Sequence, residues 1–287
     1  MAFRHFSDAD YEAVCDFLIE LNRTDRTHIN WNWARFEWMY EHPEFDRNAK
    51  DAIGLWLDGG RVVGAAIYDM YFGEAFTGVL PAYAALYPDV LKYAHAALKD
   101  DSGLAIAICD GNAAEIGAAE ANGFLPTGQT ETIMALRLNG TLPAALPDGF
   151  SFCAPDPATE SRAVQWAIWQ GFDHGEDRAE FERAEEPMQQ RRKHFRRELN
   201  LCAACPDGEY AAYCGVWYSE KTDYAYVEPV CTVPKHRGKG IAKALIYEAL
   251  NRAARLGAKE AYVISDLPFY EKLGFRKAYH YTFYRKG

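Results

Sequence analysis

The sequence predicts an α/β (α+β) protein, a mixed sheet flanked by helices, with the whole pattern stated twice along the chain. Three observations carry that expectation. Strand patterns are joined by Asp-Gly turns and followed by a strand–helix–strand crossover, segments match one another at an offset of about 150 residues, and a basic glycine-rich turn opens an amphipathic helix.

The hairpins come first. In "LWLDGGRVVGAAI" (55–67) and "ACPDGEYAAYCGV" (204–216), apolar runs flank Asp58-Gly59 and Asp207-Gly208, the turn chemistry of a tight β-connection. In the second half the pattern predicts strands near 150–154, 199–205, 210–218, 223–233, 260–265 and 278–285, and helices near 157–171, 186–196, 238–256 and 267–273. In the long helix Ile241, Leu245, Ala249, Leu250 and Ala253 fall on one face, and Gly257 supplies a stop.

The repeat follows from three matches on nearly one diagonal. Asp8 matches Asp156 in the approach to a helix, Asp58 matches Asp207 in a hairpin turn, and Gly123 matches Gly274 in "ANGF" and "KLGF". A common offset in a common order points to duplication. "LNGTLPAALPDGF" (138–150), with two prolines and two glycines, reads as the linker, which divides the chain into domains 1–140 and 149–287.

Composition bounds the function classes. The 287 residues are 49% hydrophobic, enough to bury two cores. No stretch of 18 residues is free of charge and the N-terminal segment is acidic early, so neither a membrane span nor a signal peptide is expected and the location is read as cytoplasmic. Seven cysteines, an odd number, suggest reduced thiols. Cys202 and Cys205 read as opposite faces of one strand, so no metal site is expected. Residues 1–140 hold 10 Lys and Arg against 21 Asp and Glu, and the remainder 21 against 20, so the net charge of −10 belongs to the first half. That balance argues against a nucleic-acid surface, and "RRKHFRRE" (191–198) reads as the solvated side of a helix.

"VCTVPKHRGKGIAKAL" (230–245) is where chemistry concentrates. A glycine-rich turn at a helix start aims unpaired backbone N–H groups outward and adds the positive end of the helix dipole, so it suits an anion. Gly238 and Gly240 let the backbone come close, and His236, Arg237 and Lys239 surround it with positive charge. The spacing is neither GxxxxGK[ST] nor GxGxxG.

The stretch resembles the acetyl-CoA signature of the GNAT (GCN5-related) N-acetyltransferase superfamily, R/Q-x-x-G-x-G/A, at Arg237, Gly240 and Ala242. "VISDLPFYEKLGF" (263–275) is similar to the family's second signature, a strand, a short helix carrying a tyrosine, then Gly-Phe. The resemblance implies two tandem GNAT-like domains, each a mixed, mostly antiparallel sheet flanked by helices, with acetyl-CoA as cosubstrate. It implies a cofactor site made of Val230, Cys231, Thr232, Arg237, Gly238, Lys239, Gly240, Ile241 and Ala242, the strand residues also helping to stabilise an oxyanion. In the first copy the matching turn falls on "YPDVL" (87–91), without glycine and with Asp89, and the tyrosine position falls on Ala119. That copy is therefore expected to keep the fold and lack the cofactor. Its aromatic segment "WNWARFEWMY" (31–40) reads as core or as the lining of an acceptor pocket.

Acyl transfer to an amine raises two proton problems. An alkylamine of pKa near ~10.4 costs about 4.6 kcal/mol to deprotonate at neutral pH. Alternation along "YAYVEPVCT" places Tyr224, Tyr226, Glu228, Val230 and Thr232 on one face, making Glu228 the candidate base. Pro229 cannot donate to a ladder and suggests a bulge there. Tyr270, by resemblance, protonates the departing thiolate, with Phe269 available for packing. Cys231 invites a covalent acyl-enzyme, but no His stands in sequence to activate it. The loop "WQGFDHGED" (169–177) brings Asp173, Glu176 and Asp177, which would favour a cationic acceptor or simply be solvated.

The leading expectation is an acetyl-CoA-dependent N-acetyltransferase acting by direct transfer on a primary amine of a small molecule or peptide, with a homo-oligomer left open. Two others stand beside it: a non-catalytic acyl-CoA-binding sensor or interaction protein, and an acyltransferase resembling mycothiol synthase, which keeps a CoA cradle in one copy.

Overall fold

The computed structural model describes residues 1–23, 26–42, 44–183 and 193–287. They form two compact units: residues 1–134 with 264–267 and 277–287, and residues 135–263 with 268–276. The elements of the first half are β1 (Ala2–His5), α1 (Tyr11–Leu21), α2 (Trp33–Glu41), β2 (Gly54–Asp58), β3 (Arg61–Asp69), β4 (Tyr71–Val79), α3 (Tyr87–Leu98), β5 (Leu104–Cys109), α4 (Ala113–Ala121) and β6 (Leu125–Arg137). Those of the second are β7 (Ser151–Cys153), α5 (Pro157–Gly171), α6 (Arg178–Arg183), β8 (Asn200–Ala204), β9 (Tyr210–Tyr218), β10 (Tyr224–Thr232), α7 (Ile241–Leu256), β11 (Glu260–Ile264), α8 (Pro268–Lys272) and β12 (Arg276–Lys286). The same order of elements thus occurs twice. Gly123 and Gly274 hold matching places after α4 and α8, with φ of +84° and +96°.

In the first unit the strand order is β1-β2-β3-β4-β5-β12-β6. Strands β1 to β4 run antiparallel to their neighbours, and β4 meets β5 in parallel. Sequence order and packing part company at β12, which runs antiparallel along β5 from Tyr281↔Cys109 to Lys286↔Leu104 and so completes the first unit with residues from the far end of the chain. The core beneath this sheet includes Trp33, Phe36 and Met39 of α2, all but sealed from solvent, so the aromatic segment is mainly core.

In the second unit β7, β8, β9 and β10 are antiparallel and β10 pairs in parallel with β11. The sheets are mixed and mostly antiparallel, with helices on them, as the sequence predicts. Local signals explain the element ends. Asp156 caps α5 by accepting from Ala158 N at 2.9 Å, with Pro157 in the first turn. Gly257, at φ +120°, ends α7 against the Tyr218 hydroxyl, which would lie 2.7 Å from a Cβ. α5 packs on β9 and β10, and α7 packs on β8, β9 and β10. Leu245, Ile246, Ala249 and Leu250 of α7 are buried there.

Two sequence expectations differ here. The helix near 186–196 falls partly on residues 184–192, outside the described residues. Over 193–196 no helix forms, and a single 3-10 turn occupies Arg197–Leu199. Tertiary bonds bend this stretch: Arg197 Nε donates to Ala154 O at 2.8 Å, Asn200 Nδ2 to Arg196 O at 2.7 Å, and Arg196 pairs with Glu220. Cys205 lies past the end of β8 rather than on its outer face, because the register shifts between Ala203 and Ala204.

Candidate active site

The site is built around a break in β10. The register against β9 runs Tyr226↔Trp217, Val227↔Val216, then Val230↔Cys214, so Glu228 and Pro229 together oppose Gly215. This is the bulge that Pro229 suggests, and the Glu228–Pro229 peptide is cis. Gly215 accommodates it, since a Cβ there would come within 2.6 Å of Glu228 O and 3.2 Å of Pro229 Cδ.

The extra residue changes which side chains share a face. Directly paired residues point to the same side of a sheet, so Cys231 joins Tyr213 while Val230 and Thr232 join Cys214 and Ala212. The alternation expected from sequence therefore holds up to Tyr226 and inverts after it, and the physical reason is the bulge. On the α5 side, Cys231 packs with Val164, Ile168, Cys202 and Tyr213. Burial pushes its thiol up to about 12, so it stays a neutral core thiol and not a nucleophile.

Beyond Tyr226 the strand loses its other neighbour, because β10 pairs with β11 only from Tyr224↔Glu260 to Tyr226↔Tyr262. An open edge results. Val233 N donates to Ala211 O at 2.9 Å, and alternation then turns the peptide of Cys231 toward β9 and those of Val230 and Thr232 toward the opening. Of the three residues expected to hold a pantetheine, Val230 and Thr232 face the gap and Cys231 does not.

The turn follows at once. Gly238 and Gly240 have φ of +77° and +80°, conformations that side chains rarely adopt, and a Cβ on either would meet nothing within 4 Å. Gly240 is the N-cap of α7, and the first α-helical bond of that helix is Ala244 N to Gly240 O at 3.1 Å. The amides of Ile241, Ala242 and Lys243 precede the first intrahelical acceptor and lie at the positive end of a helix of 16 residues. The Ile241 side chain is buried and anchors this end, while Gly238, Lys239 and Gly240 are exposed.

The cations divide their tasks. Arg237 Nε donates to Thr232 O at 3.0 Å, and its Nη2 donates to Gly171 O at 3.0 Å and Asp173 Oδ1 at 2.9 Å. It ties the end of β10 to the end of α5. Lys235 pairs with Glu209 at 3.0 Å. Lys239 Nζ lies 3.4 Å from His236 Nδ1, and the His236 ring meets Phe150 edge-on at 5.5 Å. Partial burial, then Lys239 and Lys235, hold His236 below its ordinary range.

Tyr270 of α8 and Glu228 are close enough for their charges to couple. The tyrosine hydroxyl is pushed up by burial first, then by the Cys214 thiol and the Glu228 carboxylate, so it is held protonated. Glu228 Oε2 is itself buried. The packing roles of the two neighbouring rings are reversed from the sequence reading: Phe269 is exposed, and Tyr270 is buried against Phe275, ring centroids 5.6 Å apart. The acidic loop is more committed than expected. Asp173, at φ +60°, holds Arg237, and Asp177 Oδ1 caps α6 by accepting from Ala179 N at 2.8 Å. Sequence reasoning missed Gly171 and Gly215, whose signal is a glycine inside an element that otherwise has no need of one. In the first unit α3 begins without glycine and with Asp89 in its first turn.

An open strand edge beside a glycine-started helix is a framework that solved GNAT-type structures share. Residues 163–275 match the family described as Acetyltransferase (GNAT) family, and the chain carries the GNAT fold. Among solved structures it is similar to a GCN5-related N-acetyltransferase from Sphaerobacter thermophilus, with 18% identity over 99% of this chain and 95% of that one, at a TM-score of 0.61. It is also similar to a tandem GNAT protein from the clavulanic acid biosynthesis pathway, solved without AcCoA, with 17% identity over 99% and 98% of the two chains, at a TM-score of 0.63. A search of curated proteins finds no match. Among the described residues no group of three or more His, Cys, Asp and Glu could hold a metal ion, and no helix is long and apolar enough to cross a membrane.

Proposed function

We propose that the chain is an acetyl-CoA-dependent N-acetyltransferase that transfers directly to a primary amine of a small molecule or peptide, with the site in residues 149–287 and the first half a duplicated copy without a cofactor site. The single observation that carries this reading is the meeting, in one unit, of the open edge of β10, the free amides at the start of α7, and Glu228 coupled to a protonated Tyr270.

The residues fit the cosubstrate. Gly238 and Gly240 clear the space in front of Ile241, Ala242 and Lys243, whose amides suit a diphosphate, and Lys239 stands at the rim. Val230 and Thr232 offer peptide groups to a pantetheine along the open edge, and Arg237 fixes that edge by holding Thr232 O. The thioester supplies an activated acetyl group. Glu228 removes a proton from the incoming amine, directly or through water, and the Tyr270 hydroxyl gives one to the departing sulfur. Burial of Tyr270 and of Glu228 Oε2, the rest of that side chain being half-buried, limits the competition of bulk water for those protons. The neutral, core-packed Cys231 favours direct transfer over a covalent enzyme intermediate.

The test is thiol release from acetyl-CoA with a panel of amines. Release that depends on an amine and disappears in Glu228→Gln and Tyr270→Phe, with coenzyme A binding kept, supports the reading. Coenzyme A binding without turnover by any amine would move it to the sensor alternative.

A further inference from the structure

The first unit holds a second candidate site, independent of the glycine-rich turn. In the second unit that turn joins β10 to α7. In the first unit the corresponding connection joins β4 to α3 and is a 3-10 turn, Pro81–Leu86, with neither glycine nor a charged residue. Against it lies a cavity of about 160 Å³, partly open to solvent. Leu21, Val79, Pro81, Ala84 and Ala114 give it aliphatic walls, and the exposed Pro81 and Ala114 mark its mouth. An engineered apolar cavity of about 150 Å³ takes up benzene, so this volume suits one six-membered ring.

The remaining wall is polar, made by Thr27, His28, Tyr87 and Asn112, and measured contacts bring their polar atoms together. The Tyr87 hydroxyl lies 3.4 Å from both His28 Nε2 and Asn112 Nδ2, and Thr27 Oγ1 lies 3.3 Å from His28 Nδ1. Glu115, 2% exposed, holds this group from behind. Its carboxylate accepts from Thr77 Oγ1 at 2.8 Å and Asn112 Nδ2 at 2.9 Å and meets His28 Nε2 at 3.1 Å, while its own N–H donates to Asn112 Oδ1 at 3.2 Å. A carboxylate only accepts, so His28 carries its proton on Nε2, and Nδ1 accepts from the Thr27 hydroxyl. Thr27 is half-buried, and its oxygen offers lone pairs to a further donor.

Among the described residues no Asp, Glu, Lys or Arg lines the cavity, so an ion entering it would lose water without gaining a counter-charge. Ring-sized aliphatic space beside a fixed hydroxyl oxygen suits a neutral ring that carries an O–H donor. We propose that this pocket binds small neutral phenols, the ring against the aliphatic walls and the hydroxyl donating to Thr27 Oγ1. The pocket falls wholly within residues 21–114, so it stands or fails apart from the acyl-transfer reading.

The test is calorimetry on the full chain with phenol, benzene and protonated benzylamine. Phenol is expected to bind about tenfold tighter than benzene, which lacks the donor, and at least about tenfold tighter than the cation. Thr27→Val, which keeps the side-chain shape, should bring phenol down to the level of benzene and leave benzene unchanged. Ala84→Leu, which fills the cavity and spares the polar wall, should weaken both by about tenfold or more, while Gly240→Ala alters neither. Phenol binding that is absent or no tighter than that of benzene means a water-filled cavity only and overturns the proposal. So does benzylamine binding as tight as phenol, a phenol preference that survives Thr27→Val, or binding that survives Ala84→Leu.

Discussion

Gly171, the last residue of α5, lies so close to Cys231 that a Cβ on it would stand 2.6 Å from Sγ and 2.7 Å from the cysteine Cβ. The helix therefore rests directly on the strand that carries the open edge, and its carbonyl is also where Arg237 reaches. Gly171→Ala is expected to destabilise the fold by about 1–3 kcal/mol through overpacking. Denaturant unfolding of Gly171→Ala in wild-type and Cys231→Ala backgrounds checks this. The loss should shrink but persist when Sγ is removed.

Glu228→Gln and Tyr270→Phe should each lower kcat by about 10²- to 10⁴-fold in steady-state assays while the dissociation constant for coenzyme A changes little. Neither side chain belongs to the turn and helix start proposed to hold the diphosphate.

The raised Tyr270 hydroxyl also has a consequence for alkaline stability. The folded state binds this proton more tightly than the unfolded state, so the contribution is complete below the ordinary tyrosine pKa of about 10 and declines as pH rises beyond it. Tyr270→Phe should accordingly unfold less steeply between neutral pH and pH ~11 than the parent, measured by denaturant midpoints across that range. An unchanged slope would show that the hydroxyl is not buried.

Gly240→Ala meets no obstruction, so its cost is conformational, about 1–2 kcal/mol for a side chain in the left-handed region. Relief of that strain would rotate the first-turn amides of α7. Coenzyme A binding should weaken by about tenfold or more with modest loss of stability, read by calorimetry and melting on the same sample.

The Arg237–Asp173 pair is exposed on both sides, 46% and 65%, and its removal by Asp173→Ala should cost no more than about 1 kcal/mol. Arg237→Gln also weakens the bonds to Thr232 O and Gly171 O. Hydrogen exchange over 171–177 should quicken markedly in Arg237→Gln and only slightly in Asp173→Ala.

Much of this was legible in the residues, and the failures have physical causes. Asp156-Pro157 at one end and Gly171 at the other delimit α5, and the observed helix has the expected bounds. The glycine-rich turn could be read because glycine spacing and a following amphipathic helix are local signals; Glu228 was singled out by alternation along its strand, an argument that the bulge undoes, and Tyr270 by the resemblance. The inverted face of Val230 and Thr232 was not, because a bulge depends on what stands opposite, and nothing near Glu228 in sequence points to Gly215. Arg237 looked like a mobile cation because its partners, Gly171 and Asp173, lie more than 60 residues away. The stretch 193–198 read as helix from composition, yet Arg197 and Asn200 form tertiary and turn bonds that pull it out of register.

The placement of β12 bears on synthesis. Until residues 281–286 leave the ribosome, β5 carries an unpaired edge of six residues, Leu104 to Cys109, five of them buried in the finished fold. The half translated first therefore cannot settle until the half translated last has been made, which exposes the nascent chain to edge-to-edge association for more than half of its synthesis. A stop codon placed before residue 277 should yield aggregated material rather than a trimmed, folded protein.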